Sequence, residues 1–231
     1  MFNLDQIVSS LKDKKNLSKD ESFYISEKMF EGALSDTEIK DILILLNEKG
    51  IATAEVVGFA QAMRQISTKV STDEKVIDCC GTGGDGLNTF NISTCAAFIA
   101  AASGAKVAKH GNKAITSKSG SADLLHDAGA KLDLSPEQVS ECIKNINFGF
   151  MFAPLHHKAM KNVAASRKSI APNKTIFNML GPITNPANAQ LQIIGVFDKD
   201  AMQLIADSLL ELETSRAIVL TSRDGMDEAS I

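Results

Sequence analysis

GTGGDGLNTFNIST, residues 81–94, stands directly behind the apolar run VIDCC of residues 76–80 and ahead of the Ala-rich stretch CAAFIAAA of residues 95–102. A β-branched run, a glycine loop and an Ala-rich helix from Phe90 to Gly104, followed by KVAKHG at 106–111, predict a β-loop-α-β unit. Gly81, Gly83, Gly84 and Gly86 surround Asp85, and Asn88, Thr89, Asn91, Ser93 and Thr94 follow. Glycine admits the backbone close to a ligand, and the amides opening a helix carry partial positive charge toward it. A tight turn needs one or two glycines; this excess of bare backbone and short donors favours an anion or sugar-phosphate loop.

Two better-known phosphate loops fit less well. Gly81, Gly83 and Gly86 satisfy G-x-G-x-x-G, but a dinucleotide site wants an acidic residue about 20 positions on to hold a ribose hydroxyl. No Asp or Glu occurs between Gly86 and Asp123. A Walker-type loop is excluded because no G-K-[ST] follows the glycines.

The end of the next predicted strand agrees with a polyanion. In KVAKHGNKAITSKSGSAD, residues 106–123, Lys106, Lys109, Lys113 and Lys118 stand with His110 and no acid before Asp123. Scattered lysines are usually a solvated face; here Gly111, Asn112, Thr116, Ser117, Ser119, Gly120 and Ser121 are interleaved with them, which predicts an electropositive pocket. In an open parallel sheet both loops emerge at the carboxyl ends of strands, where ligands bind.

Working outward, SKDE (18–21) and SDTE (35–38) are capping boxes that open two helices, with Gly50 as a stop for the second, and 53–67 repeats the helical spacing. Beyond the glycine unit, a helix is expected from 119–123 to Gly129, another from Ser135 and Pro136, and a buried strand at FGFMFAP. QIIGVF and RAIVLTS predict strands flanking the helix DAMQLIADSLLEL. The fold class is therefore α/β: a small helical domain over 1–72, to which 158–186 is expected to return, and a larger α/β domain over 73–157 and 187–231 with a mainly parallel sheet.

The chain has 231 residues, 44% of them hydrophobic and 23% charged, with a net charge of −4. No apolar run reaches the roughly 20 residues of a spanning helix, and the N-terminus lacks signal-peptide order, so a cytoplasmic protein without a membrane partner is expected. The acidic balance argues against nucleic acid as the main partner. Cys79, Cys80, Cys95 and Cys142 have no zinc-site spacing and read as reduced structural thiols. Asp227 and Glu228 in DGMDEAS follow a predicted strand, where adjacent carboxylates repel unless a hard cation such as Mg²⁺ lies between them. His156 and His157 suit core, capping or ligand roles alike, and Arg167 either the surface or a carboxylate fork.

Taken together, GTGGDGLNTFNIST, KHGN, SKSGSAD, FAPLHH, TIFNMLGPITNP and DGMDE, in this order behind a helical N-terminus, resemble the anthranilate phosphoribosyltransferase family. The resemblance implies the nucleoside phosphorylase/phosphoribosyltransferase fold class. It also implies transfer of the phosphoribosyl group of phosphoribosyl pyrophosphate (PRPP) to the amine of anthranilate, with Mg²⁺, in a homodimer formed through the helical domain. It places Gly81, Gly84, Asp85, Thr89, Asn91, Ile92, Ser93 and Thr94 around PRPP, with Lys109, His110, Gly111, Asn112, Lys113, Ser117 and Ser121 completing the pocket. Ser93, Asp227 and Glu228 would hold the metal; Gly81, Asn112 and Arg167 would hold anthranilate. Lys109, Asp85 and Arg167 carry the catalytic expectation, Lys109 by stabilising charge on the leaving pyrophosphate. No general base is nominated, and His110 is expected to shape the anthranilate entrance. The family's sheet continues beyond the position of Ile231, so the chain is expected to lack its C-terminal part and to leave a sheet edge and apolar faces uncovered. A pyrimidine nucleoside phosphorylase has no need of the Asp227–Glu228 pair, and a nucleic-acid-binding relative would show a basic surface and damaged motifs.

Overall fold

The computed structural model describes residues 2–83, 87, 89–114, 119–196 and 198–230. Four helices come first: α1 (Leu4–Lys12), α2 (Lys19–Glu31), α3 (Asp36–Lys49) and α4 (Thr53–Ile66). Both capping boxes close. Ser18 Oγ accepts the Glu21 amide while the Glu21 carboxylate accepts the Ser18 amide at 2.8 Å, and Ser35 and Glu38 repeat the exchange. Each pair satisfies two orphan donors and is worth about 1 kcal/mol, which fixes where α2 and α3 begin. In α4, a Cβ on Gly58 would lie 2.4 Å from the Lys19 carbonyl oxygen, so glycine sets how closely α2 and α4 approach. Glu55 is fully buried; it pairs with the buried Lys49 ammonium at 2.8 Å and accepts the Leu17 amide at 2.9 Å.

The second part follows as β1 (Val76–Gly81), α5 (Ile92–Ala102), β2 (Lys106–Gly111), α6 (Ser121–Asp127), α7 (Pro136–Ile146), β3 (Phe148–Phe152) and α8 (Ala153–His156). A 3-10 turn, Lys158–Val163, leads into α9 (Ala164–Ile170) and α10 (Phe177–Ile183), and then β4 (Leu191–Gly195), α11 (Lys199–Glu211) and β5 (Arg216–Leu220). All strand pairs are parallel, in the order β3-β2-β1-β4-β5. From β1 the chain winds toward β3, and from β4 it winds the other way, so the connections diverge between β1 and β4. That is where an open parallel sheet leaves a crevice.

The helical layer does not close its own core. Val163, Ile170, Ile176, Phe177, Leu180 and Ile183 join Ile39, Leu43 and Phe59 in one buried cluster, which runs on through Ile194 and Ile205 to the sheet. Phe177 meets Phe30 and Phe59 edge-on at 6.1 and 5.8 Å. The segment after α8 therefore crosses to the helices because their apolar faces need it.

Two boundaries differ from the sequence expectation. The helix after the glycine loop starts at Ile92 rather than Phe90: Asn91 is its N-cap residue with non-helical backbone, and its side chain donates to the Gly120 carbonyl at 3.0 Å instead of capping the helix. The strand of FGFMFAP ends at Phe152, where Ala153 and Pro154 open α8. All four cysteines are free thiols. No helix among the described residues is long and apolar enough to cross a membrane. Ile193 and Ile218, register partners on β4 and β5, are 36% and 55% exposed, an apolar patch on that part of the sheet.

Candidate active site

A cavity of about 720 Å³ opens over the carboxyl ends of β1 and β2, with the α9–α10 segment as its opposite wall. Every described residue of the predicted site lines it, from Gly81, Thr89 and the Asn91–Thr94 stretch to Lys109–Lys113, Ser121, Arg167, Asp227 and Glu228. Gly84, Asp85 and Ser117, with Lys118 of the predicted basic pocket, lie outside the described residues.

The acidic loop fits the crevice through missing side chains. A Cβ on Gly195 would fall 1.6 Å from the Asp227 carbonyl oxygen, and one on Gly81 would fall 2.8 Å from Asp227 Oδ2. Asp227 Oδ2 accepts the Gly83 amide at 2.9 Å, while Glu228 Oε1 accepts the Ser93 amide at 3.1 Å and the Ser93 hydroxyl. Two carboxylates and a hydroxyl thus converge on the start of the glycine loop and of α5. This hard-oxygen set suits Mg²⁺, which takes one or two carboxylates and leaves its other positions to water and phosphate. Among the described residues no group of three or more His, Cys, Asp and Glu could hold a metal, which is consistent with so open a shell.

Lys109 is 2% exposed, and its ammonium donates to the Cys79 carbonyl. No described carboxylate forms an ion pair with it. A buried ammonium with two further donors suits an anion that enters the cavity. His110 carries no charge near neutrality: burial pushes it down to about 4, and its Nδ1 donates to the Gly181 carbonyl at 3.0 Å. The electropositive pocket read from the sequence therefore needs correction. Lys106 sits at the other end of β2, donating to the Lys144 carbonyl at 2.7 Å, so the described lysines that β2 and its loop give the cavity are Lys109 and Lys113.

The loop after β2 is held by a residue that the sequence marked only as the end of an acid-free stretch. The Asp123 carboxylate accepts the amides of Ala114 and Gly120, each at 2.8 Å, and these bonds hold it below the usual carboxylate range. Gly111 completes the fold-back, since a Cβ there would lie 2.1 Å from Ser121 Oγ.

On the opposite wall the Arg167 guanidinium lies 5.2 Å over the Phe177 ring, a cation–π placement that leaves its edge donors for a ligand. Lys168, Lys174 and Asn178 line the same wall and were not named as site residues in the sequence, although Asn178 stands in the TIFNMLGPITNP motif; they reach the cavity because 158–183 packs on the helical layer. His156 donates from Nδ1 to the Thr68 carbonyl at 2.8 Å, a linker contact. His157 is buried with its ring centroid 5.0 Å from that of His110, and burial, then His110, push it down to about 3.

The family described as "Glycosyl transferase family, helical bundle domain" matches residues 5–67, and "Glycosyl transferase family, a/b domain" matches residues 73–231. A helical bundle over a parallel sheet, with its cavity at the strand ends, is thus that of a glycosyl transferase. The anthranilate phosphoribosyltransferase of Hydrogenovibrio crunogenus is 45% identical over 100% of this chain and 68% of its own length. The crystal structure of the Thermus thermophilus enzyme of the same name matches with a TM-score of 0.91 at 37% identity, over 96% of this chain and 67% of that one. The Saccharomyces cerevisiae enzyme in complex with PRPP and Mg matches at 0.89 and 27% identity, over 98% and 68%. The chain belongs to the anthranilate phosphoribosyltransferase family. It spans about two thirds of the length of these relatives.

Proposed function

We propose that this chain carries the site that transfers the phosphoribosyl group of PRPP to the amine of anthranilate, a pentosyl transfer in tryptophan biosynthesis giving N-(5-phosphoribosyl)anthranilate and pyrophosphate. The observation that carries the reading is the convergence at the switch point: Asp227 on Gly83 and Glu228 on Ser93, facing the buried Lys109 across one cavity that Arg167 closes. Glycine-loop amides and the Asn91–Thr94 stretch would cradle the phosphates, as a helix N-terminus does. Mg²⁺ held by Ser93, Asp227 and Glu228 would offset the charge of the pyrophosphate. Lys109 stabilises the negative charge that grows as the C1′–O bond to pyrophosphate breaks. Arg167 and Asn112 hold anthranilate so that its nitrogen forms the new bond to C1′, and a proton then leaves that nitrogen. His110, neutral and engaged through Nδ1, serves as wall rather than base. Much of the rate then comes from alignment.

The same reading takes residues 1–72 with 158–186 as a helical domain and the rest as the PRPP-binding domain, in a cytoplasmic homodimer formed through the helices, to be checked by sedimentation. The decisive experiment is calorimetric titration with PRPP, with and without Mg²⁺, beside an Asp227→Ala/Glu228→Ala double variant. Magnesium-dependent binding that weakens in the variant is expected; PRPP binding by a folded chain that ignores both magnesium and the variant would overturn the metal assignment, and no binding would overturn the ligand.

A further inference from the structure

Beneath the cavity, Asp78 and Asn185 meet in a network that no ligand role explains. Asp78 is fully buried on β1 and Asn185 is 6% exposed in the crossover between α10 and β4. Asp78 Oδ1 accepts the His110 amide at 3.2 Å and Oδ2 accepts Asn185 Nδ2 at 2.7 Å. The same Nδ2 donates to the Ala108 carbonyl at 2.9 Å, and Asn185 Oδ1 accepts the Ala187 amide at 2.8 Å. Both amide hydrogens of Asn185 are used, and two β2 residues, Ala108 and His110, are tied to the crossover through one side chain pair. A second tie runs beside it, from His110 Nδ1 to the Gly181 carbonyl on α10.

The two walls of the cavity hang from these elements. β2 delivers Lys109 and Asn112; α10 begins at Phe177, under the Arg167 guanidinium, continues with Asn178 in the wall, and ends two residues before Asn185. We propose that Asp78 and Asn185 are positioning residues, a strut that sets the spacing between the Lys109–Asn112 wall and the Arg167–Asn178 wall. The proposal rests on the two-substrate reading above: one wall holds the phosphoribosyl donor and the other the aromatic acceptor. A strut that spaces them matters for the reaction between the two substrates and hardly at all for the binding of either alone. Burying a carboxylate at this point is costly, and burial pushes the Asp78 carboxyl up, against the influence of Lys109 and the hydrogen bonds of Asn185 and His110.

The test uses Asn185→Ala and Asp78→Asn in the full chain. The second keeps the volume, but its single oxygen cannot accept from both His110 and Asn185, and its NH2 group faces a donor. Amide hydrogen exchange, read without substrate, is expected to rise over 176–190 and 108–112 while β4 and β5 stay protected. Steady-state kinetics are expected to show kcat falling on the order of 10- to 100-fold, the cost of a misalignment near 1 Å, with the binary affinities for PRPP and anthranilate changed less than about twofold. Unchanged exchange and unchanged kcat in both variants would overturn the strut. So would a loss of affinity for each substrate that matches the loss of kcat, the pattern of general unfolding. A wild-type chain with no transferase activity would sink the phosphoribosyl-transfer reading, and the exchange measurement would still decide whether the strut exists.

Discussion

The carbonyl oxygen of Asp227 occupies the place where a side chain on Gly195 would begin, 1.6 Å from the ideal Cβ position. The end of β4 and the acidic loop can be neighbours only because residue 195 has no side chain. Gly81, the register partner of Gly195, receives the Asp227 carboxylate in the same way.

Gly195→Ala is therefore expected to push the 221–230 loop out of the crevice. Magnesium-dependent PRPP binding should fall at least tenfold, while thermal unfolding shows the modest cost of overpacking, about 1–3 kcal/mol. Titration calorimetry beside a thermal melt checks this; an alanine variant that binds PRPP as the wild type does would mean that the loop is not fixed by this contact.

In the helical layer, Glu55→Ala would leave the Lys49 ammonium, 1% exposed, without its carboxylate. Breaking such a buried pair from one side costs about 3–5 kcal/mol. Urea unfolding should register that loss, with PRPP affinity unchanged for the fraction that stays folded. A cost below about 1 kcal/mol would show that the pair is solvated in solution.

His157 predicts a pH dependence of stability. Its folded-state value of about 3 lies below the ordinary 6.5, so between these limits the unfolded chain binds more protons and stability falls as pH falls. The slope from this one group is at most about 1.4 kcal/mol per pH unit. His110, His156 and Lys69 face it, and His110, down at about 4, acts in the same direction. Asp78, raised by burial, acts oppositely, its contribution being lost as pH rises through its folded value. Urea midpoints of wild type and His157→Gln between pH 7 and pH 5 separate these contributions. The variant is expected to lose less stability on acidification, and parallel curves would contradict the assignment.

Arg167→Lys keeps the charge but loses the planar fork and its stacking on Phe177. KM for anthranilate should rise by roughly a factor of ten or more, as for the loss of a charged hydrogen bond of about 1.5–3 kcal/mol, with PRPP affinity within twofold. Equal losses for both substrates would move Arg167 out of the acceptor wall.

Much of this was legible because it is local. The caps Ser18 and Ser35, the strand ahead of Gly81, the stop near Gly104 and the carboxylates behind β5 are written within a few residues, where spacings of 2.0 and 3.6 and the geometry of glycine leave few alternatives. By itself the sequence determined a helical N-terminus, a parallel α/β unit and a glycine-rich loop at a strand's carboxyl end. Only the tertiary structure decided that Lys106 leaves the cavity while Lys109 stays beneath it, since residues three apart on a strand differ by about 10 Å along it. It alone brought Lys168 and Asn178 into the wall beside Arg167, tied Asp78 to Asn185 across 107 positions, and made His110 and His157 neutral. These depend on which apolar faces bury one another and on which polar groups are dragged inside with them, and no local pattern records that.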